Sequence, residues 1–142
     1  MADQVRPVVL LVARVAIGVI FLVHGYQKFV TIGIEGTTEF FESVGIPLAA
    51  LAAPAVAATE VAGGLALIAG AALPLAGSLL ALNMIGAIVF VHGESGFSAG
   101  DGGYEFVLAL AAASLAVGFS GGGAFALDNV RLRRRGAAAV IA

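Results

Sequence analysis

The stretch VVLLVARVAIGVIFLV, residues 8–23, is apolar apart from one arginine, Arg14. A helix needs about 20 predominantly apolar residues to cross the hydrocarbon core of a bilayer, and apolar residues continue on both sides of this stretch. We therefore predict a first transmembrane helix near residues 7–29. No convincing small-residue cleavage site follows it, so we expect it to be retained rather than removed as a signal peptide.

Three further apolar runs follow, and only isolated polar residues such as Glu60 and Asn83 interrupt them. Because lipid offers the backbone no hydrogen-bond partners, helices are the expected spanning structure. We predict these three spans near residues 47–72, 74–92 and 103–120. The predicted fold class is all-α, a four-helix transmembrane bundle in which residues 1–142 form a single membrane domain.

The overall composition agrees with a membrane protein. Hydrophobic residues make up 61% of the chain, charged residues make up 11%, and the mean hydropathy is +1.07, whereas soluble domains carry about 25% charged residues. The chain has no cysteine, which excludes disulfides, thiol chemistry and thiolate-bound iron–sulfur clusters. We expect membrane lipid as the surroundings, no intrinsic cofactor and no nucleic-acid partner.

The distribution of basic residues predicts the orientation of the spans. Arg6 precedes the first span, and the basic residues after the fourth are Arg131, Arg133, Arg134 and Arg135. The segments 31–46 and 93–103 contain acidic residues but neither lysine nor arginine. The positive-inside rule therefore predicts that both termini are cytoplasmic, with residues 129–142 as a basic cytoplasmic tail.

A buried ion pair is predicted between the first two spans. One face of the first span carries five residues at alternating spacings of four and three: Arg14, Gly18, Phe21, Gly25 and Lys28. This face should point into the bundle, and its glycines would allow a second helix to approach closely. At about 1.5 Å of rise per residue, Arg14 lies roughly 10 Å and Glu60 roughly 15–18 Å from the cytoplasmic end, a gap that long side chains can cover. We expect them to pair, either as a structural strut or as a gated charge pair or proton relay.

A second polar group is predicted at the outer ends of the spans. Its members are candidates for ligand binding or proton relay: His24, Lys28, Asn83, His92, Tyr104 and Glu105. Such a group can hold a quinone headgroup, relay protons or bind an anion, and the histidines could instead be solvated at the interface. We expect no metal, because the spacing matches no compact ligand motif. Asn83 and His92 lie about 180° apart on a straight helix and cannot share a face without a kink.

The segments that connect the predicted spans also contain patterns that predict local structure. Residues 37–44 place Phe40, Phe41 and Val44 at helical spacing, which predicts an amphipathic stretch at the outer interface. Residues 93–103 contain five glycines, which predicts a pliable segment, either a lid or a segment ordered by a partner. The glycine run 121–123 is predicted to end the fourth span and to release the tail.

Four pieces of the sequence, taken in order, resemble the DoxX family of small membrane proteins. They are Arg14-x3-Gly18-x2-Phe21-x2-His24-Gly25-x2-Lys28; Glu60 followed by Gly63-Gly64-Leu65-Ala66-Leu67-Ile68-x-Gly70; His92-x3-Gly96-Phe97 with Gly103-Tyr104-Glu105-Phe106; and the stretch from Gly121 to Asp128. The resemblance runs over residues 10–128, nearly the whole chain.

The resemblance implies a multi-pass protein of the bacterial cytoplasmic (inner) membrane that serves as a subunit of a redox system. The family takes its name from a subunit assigned to a membrane thiosulfate:quinone oxidoreductase. Related members are linked to an oxidative-stress complex that contains a superoxide dismutase and a thiosulfate sulfurtransferase. We therefore expect quinone binding or docking of soluble redox enzymes at the polar cluster, without catalysis by this chain alone.

Two alternatives belong to other functional classes. The chain could be a non-catalytic scaffold or assembly subunit of a larger membrane complex, or a small transporter or permeability factor that would have to form a homo-oligomer. A polar-lined cavity would favour ligand binding, whereas a dry and filled interior would favour the scaffold.

Overall fold

The structure, a computed structural model, describes residues 2–130. Five α-helices form the scaffold: α1 (Ala2–Tyr26), α2 (Gly33–Ser43), α3 (Ala49–Ala69), α4 (Leu73–Ala87) and α5 (Glu105–Phe119). No β-strand occurs within residues 2–130. The predicted all-α class is therefore confirmed.

Three helical segments are long and apolar enough to cross a membrane: Asp3–Thr31, Ala49–Ala69 and Leu73–Ser95. They correspond to the first three predicted spans. The fourth, α5, is apolar but has 15 residues, or about 22 Å at 1.5 Å per residue, against a hydrocarbon core of about 30 Å. The count of four spans and the cytoplasmic placement of the termini therefore stay predictions, and residues 131–135 lie outside the described part of the chain.

The four long helices pack as a ring. α1 packs on α3, α3 on α4, and α4 on α5, and a smaller contact joins α5 to α1. Small residues set the closest approaches: a Cβ atom on Gly18 would lie 2.7 Å from the Gly64 carbonyl oxygen, and one on Gly77 would lie 2.5 Å from that of Ser114. Such contacts are typical in lipid, where burial of apolar surface does not drive helices together. The predicted inward face of the first span is thus confirmed.

Two helices change their pitch at the same end of the ring. α1 continues as a π-helix over Gln27–Thr31, and α4 continues as a π-helix over Ile88–His92. A π-helix closes its hydrogen bonds five residues apart instead of four, so it turns each following side chain away from its position on a straight α-helix. Both changes fall beside the site described below.

The amphipathic stretch predicted for residues 37–44 lies within α2. Phe41 is buried against Ala49 and Ala53 of α3, while Glu39 and Glu42 are exposed. α2 therefore covers the first turns of α3, at the end of the ring where both π-helices lie.

Residues 121–130 fold back onto the other end of the ring. The N–H of Ala124 donates to the Pro7 carbonyl at 2.9 Å, the N–H of Asp128 donates to the Gly70 carbonyl at 2.9 Å, and Ala126 is buried. The glycine run ends the last helix as predicted, but residues 121–130 stay on the ring, and most of the predicted tail, residues 129–142, lies outside the described residues. Positive φ angles of +89° and +66° at the first and third glycines of that run, conformations that suit glycine, turn the chain back. We call residues 121–130 the closing segment.

The side chain of Asp128 caps α4. Its carboxylate accepts hydrogen bonds from the N–H groups of Ala72 at 2.9 Å and Leu73 at 3.0 Å. The first N–H groups of a helix have no partner inside the helix, and a carboxylate is favoured there by the helix dipole. The cap therefore ties the closing segment to the turn between α3 and α4.

Replacement of Asp128 by alanine should lower the free energy of unfolding by about 1–2 kcal/mol, because two helix N–H groups lose their acceptor. Unfolding of the purified protein in detergent micelles would measure the loss. Asp101→Ala removes an exposed carboxylate that accepts no hydrogen bond from the described residues, and it should change stability by less than about 0.5 kcal/mol. Equal losses in the two variants would contradict the capping role.

Candidate functional site

A cavity of about 590 Å³ lies in the half of the ring that is remote from the α3–α4 turn. All five α-helices contribute to its lining, as do residues of the 93–103 connection. Most of the wall is apolar, and the phenylalanines in it are Phe21, Phe40, Phe41, Phe90 and Phe106. The polar side chains are His24, Lys28, Glu60, Asn83 and His92. An apolar cavity with a few convergent polar groups is typical of a small-molecule site.

An ion pair lies in the cavity wall. The Lys28 ammonium nitrogen is 2.7 Å from a carboxylate oxygen of Glu60, and the side chains are 20% and 3% exposed, respectively. A carboxylate in this apolar setting is costly unless a cation compensates it. The pair therefore gives the cavity wall two ionised side chains whose charges cancel.

Arg14 and Glu60 do not form the predicted ion pair. The Arg14 guanidinium, 1% exposed, donates instead to the carbonyl oxygens of Leu67 at 3.4 Å, Ile68 at 3.2 Å and Ala124 at 2.6 Å. The first two carbonyls end α3, where the helix dipole favours a cation. Arg14 therefore joins α1, α3 and the closing segment at the end of the ring opposite the cavity.

The direction of helical side chains explains this difference from the prediction. Side chains on an α-helix lean toward the N-terminus of their own helix, and α1 and α3 run antiparallel, since Gly18 packs on Gly64 and Gly25 packs on Val61. Arg14 therefore leans away from Glu60, while Lys28 and Glu60 lean toward each other. Depth estimated from Cα positions alone assigns the wrong cation to the carboxylate.

Asn83 provides a hydrogen-bond donor without a partner. Its Nδ2 atom is buried and makes no hydrogen bond within the described residues, and the residue lines the cavity. A buried donor left unpaired costs about 1–3 kcal/mol. A ligand with a carbonyl or similar acceptor at this position would satisfy it.

Asn83 and His92 both line the cavity, which on a straight helix they could not do. The helix between them is not straight: its last five residues, Ile88–His92, are π-helical. The wider turn rotates His92 relative to its α-helical position. No periodicity of apolar residues signals this change in the sequence.

Tyr104 and Glu105, also predicted as ligand contacts, do not line the cavity. The Glu105 carboxylate accepts a hydrogen bond from the Ala99 N–H at 3.2 Å, and the Tyr104 ring packs edge-on against Phe97, with centroids 5.6 Å apart. Both side chains therefore hold the 93–103 connection in place.

The 93–103 connection forms part of the cavity wall. Ala99, Gly102 and Gly103 line the cavity, and Nδ1 of His92 lies 2.8 Å from the Gly102 carbonyl oxygen. These contacts agree with the position predicted for a lid, since the segment covers the site from the end of the ring. Within residues 2–130, no three histidine or carboxylate side chains converge closely enough to hold a metal ion.

The aromatic part of the wall and the place of Glu60 in the cavity were missed from the sequence. Phenylalanines occur at the same end of four different helices, as does the cation that pairs with Glu60. If successive spans are placed antiparallel, these residues fall at the same depth in the membrane. That shared depth could have predicted both the aromatic wall and the place of Glu60 in the cavity.

Comparison with known proteins places the chain among membrane proteins. Residues 9–93, which include all five polar residues of the cavity, match the family model described as DoxX. The chain is 40% identical over 107 residues to "Putative oxidoreductase CatD" of Bacillus subtilis (strain 168), covering 75% of this chain and 76% of that protein. It is 30% identical over 129 residues to "Inner membrane protein YphA" of Escherichia coli (strain K12), covering 87% and 91%. No solved structure matches it.

Proposed function

The chain belongs to the DoxX family, and from this premise we propose that it is the membrane subunit of a redox system and binds a quinone headgroup in its cavity. It is a multi-pass protein of the bacterial inner membrane. The name of the Bacillus relative refers to an oxidoreductase, which supports a redox role. Electrons would pass between the bound quinone and a partner, either a soluble redox enzyme or a larger membrane complex.

The proposed topology has four spans with both termini in the cytoplasm. α5 is apolar and packs along α4, so it would complete the membrane domain as a short fourth span. Arg6 lies at the end of the ring that holds the closing segment, and its guanidinium donates to the Ser120 carbonyl there. The positive-inside rule then places that end in the cytoplasm and the cavity in the outer half of the membrane.

The observation that carries the proposal is the chemistry of the cavity. Its volume of about 590 Å³ lies within the range of about 300–1,000 Å³ typical of ligand sites. A quinone presents two carbonyl acceptors on a flat apolar ring. Asn83 offers an unpaired N–H donor and Lys28 an ammonium group for the carbonyls, while phenylalanine side chains can pack on the ring.

The same observation bears on the alternatives. A scaffold subunit predicts a filled interior, so the cavity supports ligand binding instead. The opposite half of the ring contains the buried side chains of Arg14, Leu67 and Ala126, which supports a site closed at one end rather than a path through the protein.

Quinone binding tests the proposal directly. We expect the wild-type protein in lipid nanodiscs to bind decylubiquinone, measured by isothermal titration calorimetry. Asn83→Leu keeps the volume of the side chain but removes the donor, and it should weaken binding about tenfold, the worth of one hydrogen bond of about 1.4 kcal/mol.

Glu105→Gln is the matched control for this measurement. Glu105 lies at the same end of the ring but outside the cavity lining, and glutamine keeps the side-chain oxygen that accepts from the Ala99 N–H, so the variant should bind the quinone with unchanged affinity. Absence of binding to the wild type, or unchanged binding in Asn83→Leu, would overturn the proposed site.

A further inference from the structure

The cavity wall is incomplete between α3 and α4. The two helices pack closely near the turn that joins them, where a Cβ atom on Gly63 would lie 2.8 Å from Leu80. Farther from the turn the cavity lies between them, since Val56 of α3 and Gly86 of α4 both line it. The gap between the helices therefore widens toward the end of the ring that holds the site.

Gly86 lies at the edge of this gap. A Cβ atom built on it would meet no atom within 4 Å, so empty space adjoins the backbone of α4 there. One turn to either side, Leu82 and Phe90 line the cavity and are also 63% and 40% exposed. Together with the empty space at Gly86, this exposure indicates an opening beside α4.

The opening lies on the lipid side of the protein. At this level the outer face of the Leu73–Ser95 segment carries exposed Ile85 and Val89, and that segment is long and apolar enough to cross the membrane. The end of the ring is instead covered by α2 and by the 93–103 connection, with Phe41 buried and His92 in contact with Gly102. The gap between α3 and α4 is therefore a side of the cavity that opens toward lipid.

Polarity changes along the cavity in the same direction. The mouth is formed by Leu82, Gly86 and Phe90, while the buried carboxylate of Glu60 and the unpaired Nδ2 of Asn83 lie within. A ligand that matches this gradient has a polar head and an apolar tail.

We propose that the cavity takes its ligand sideways from the bilayer through the gap between α3 and α4, and that this ligand is a tailed amphiphile. Its head is held beside Lys28, Glu60 and Asn83, and its tail passes Gly86 into the lipid. The assignment of the head as a quinone rests on the proposed function, whereas the tail and the lateral route follow from the shape and polarity of the cavity.

A bulky residue at the mouth tests the lateral route. Gly86→Phe fills empty space, so the fold should tolerate it, but the new ring would occupy the place of the tail. In nanodiscs of identical lipid, we expect the variant to bind decylubiquinone at least tenfold more weakly than the wild type does. Binding of the tail-less 2,3-dimethoxy-5-methyl-1,4-benzoquinone should change less than threefold.

Ser78→Phe is the matched control, because Ser78 is exposed on the same helix and does not line the cavity. Its affinity for both quinones should equal that of the wild type. The two quinones partition differently into the bilayer. Because each quinone is compared between variants in the same lipid, this difference cancels.

A second measurement uses the wild-type protein and needs no variant. A quinone with a photoreactive group at the end of its tail should label peptides of α3 or α4 that contain Val56, Leu82 or Phe90. Labelling confined to the 93–103 connection would overturn the lateral route.

The outcomes separate the two proposals. If neither quinone binds to the wild type, the proposed quinone function fails. If both bind and Gly86→Phe weakens neither, or weakens both equally, the function stands and the lateral route for a tailed ligand is overturned.

Discussion

Lys28→Met is expected to lower the free energy of unfolding by about 3 kcal/mol or more. The substitution keeps most of the apolar stem but leaves the Glu60 carboxylate, 3% exposed, without the cation that lies 2.7 Å from it. Breaking a buried ion pair from one side costs about 3–5 kcal/mol, because the remaining charge stays uncompensated. Denaturant unfolding of the purified protein in detergent would measure the loss.

A double-mutant cycle identifies the cause of that loss. Glu60→Gln removes the charge, so the double variant Lys28→Met with Glu60→Gln should regain most of the stability lost by Lys28→Met alone. Lys28→Arg keeps the cation and should lose far less. If the double variant is no more stable than Lys28→Met, the buried charge is not the reason for the effect.

Gly70→Ala is expected to cost about 3 kcal/mol at the opposite end of the ring. Gly70 ends α3 with φ +71°, a conformation that costs a residue with a Cβ atom about 1–2 kcal/mol. The added Cβ would also overlap the Arg14 guanidinium and lie 2.6 Å from the Ala126 Cα. Arg14 must then move from its carbonyl acceptors, and hydrogen bonds to a charged group contribute about 1.5–3 kcal/mol each.

Gly33→Ala separates the two causes. Gly33 has φ +80°, but a Cβ atom built on it meets nothing within 4 Å. This variant should lose only the backbone cost, and the difference between the two variants measures the contact with Arg14 and Ala126. Thermal unfolding of both in the same detergent gives that difference, and equal losses would contradict the role of Gly70 in seating Arg14.

Both predictions concern side chains whose burial was expected from the sequence. The apolar runs on both sides of Arg14 and Glu60 are long enough to predict helices, and the spacing of Gly18 and Gly25 identifies the face of α1 that packs on α3. These features are local or periodic, so a single sequence displays them.

The hydrogen-bond and charge partners of these side chains could not be predicted from the sequence. Which cation reaches Glu60 depends on the lean of side chains along two antiparallel helices, and this is decided by packing rather than by spacing. The π-helix that brings His92 to the same cavity as Asn83 is a change of hydrogen-bond register that leaves no apolar period. Glu105 has the residue type of a ligand contact, but the path of the 93–103 connection turns it to the Ala99 N–H.

The contact between Arg14 and Ala124 has a consequence for biosynthesis. Arg14 leaves the ribosome well before its 2.6 Å acceptor at Ala124, which is translated 110 residues later. Until then the guanidinium must rely on the end of α3 or on surrounding water and headgroups. Insertion of the helices and completion of the fold are therefore separate events, and a nascent chain interrupted before Ala124 would carry a guanidinium that lacks one of its three acceptors.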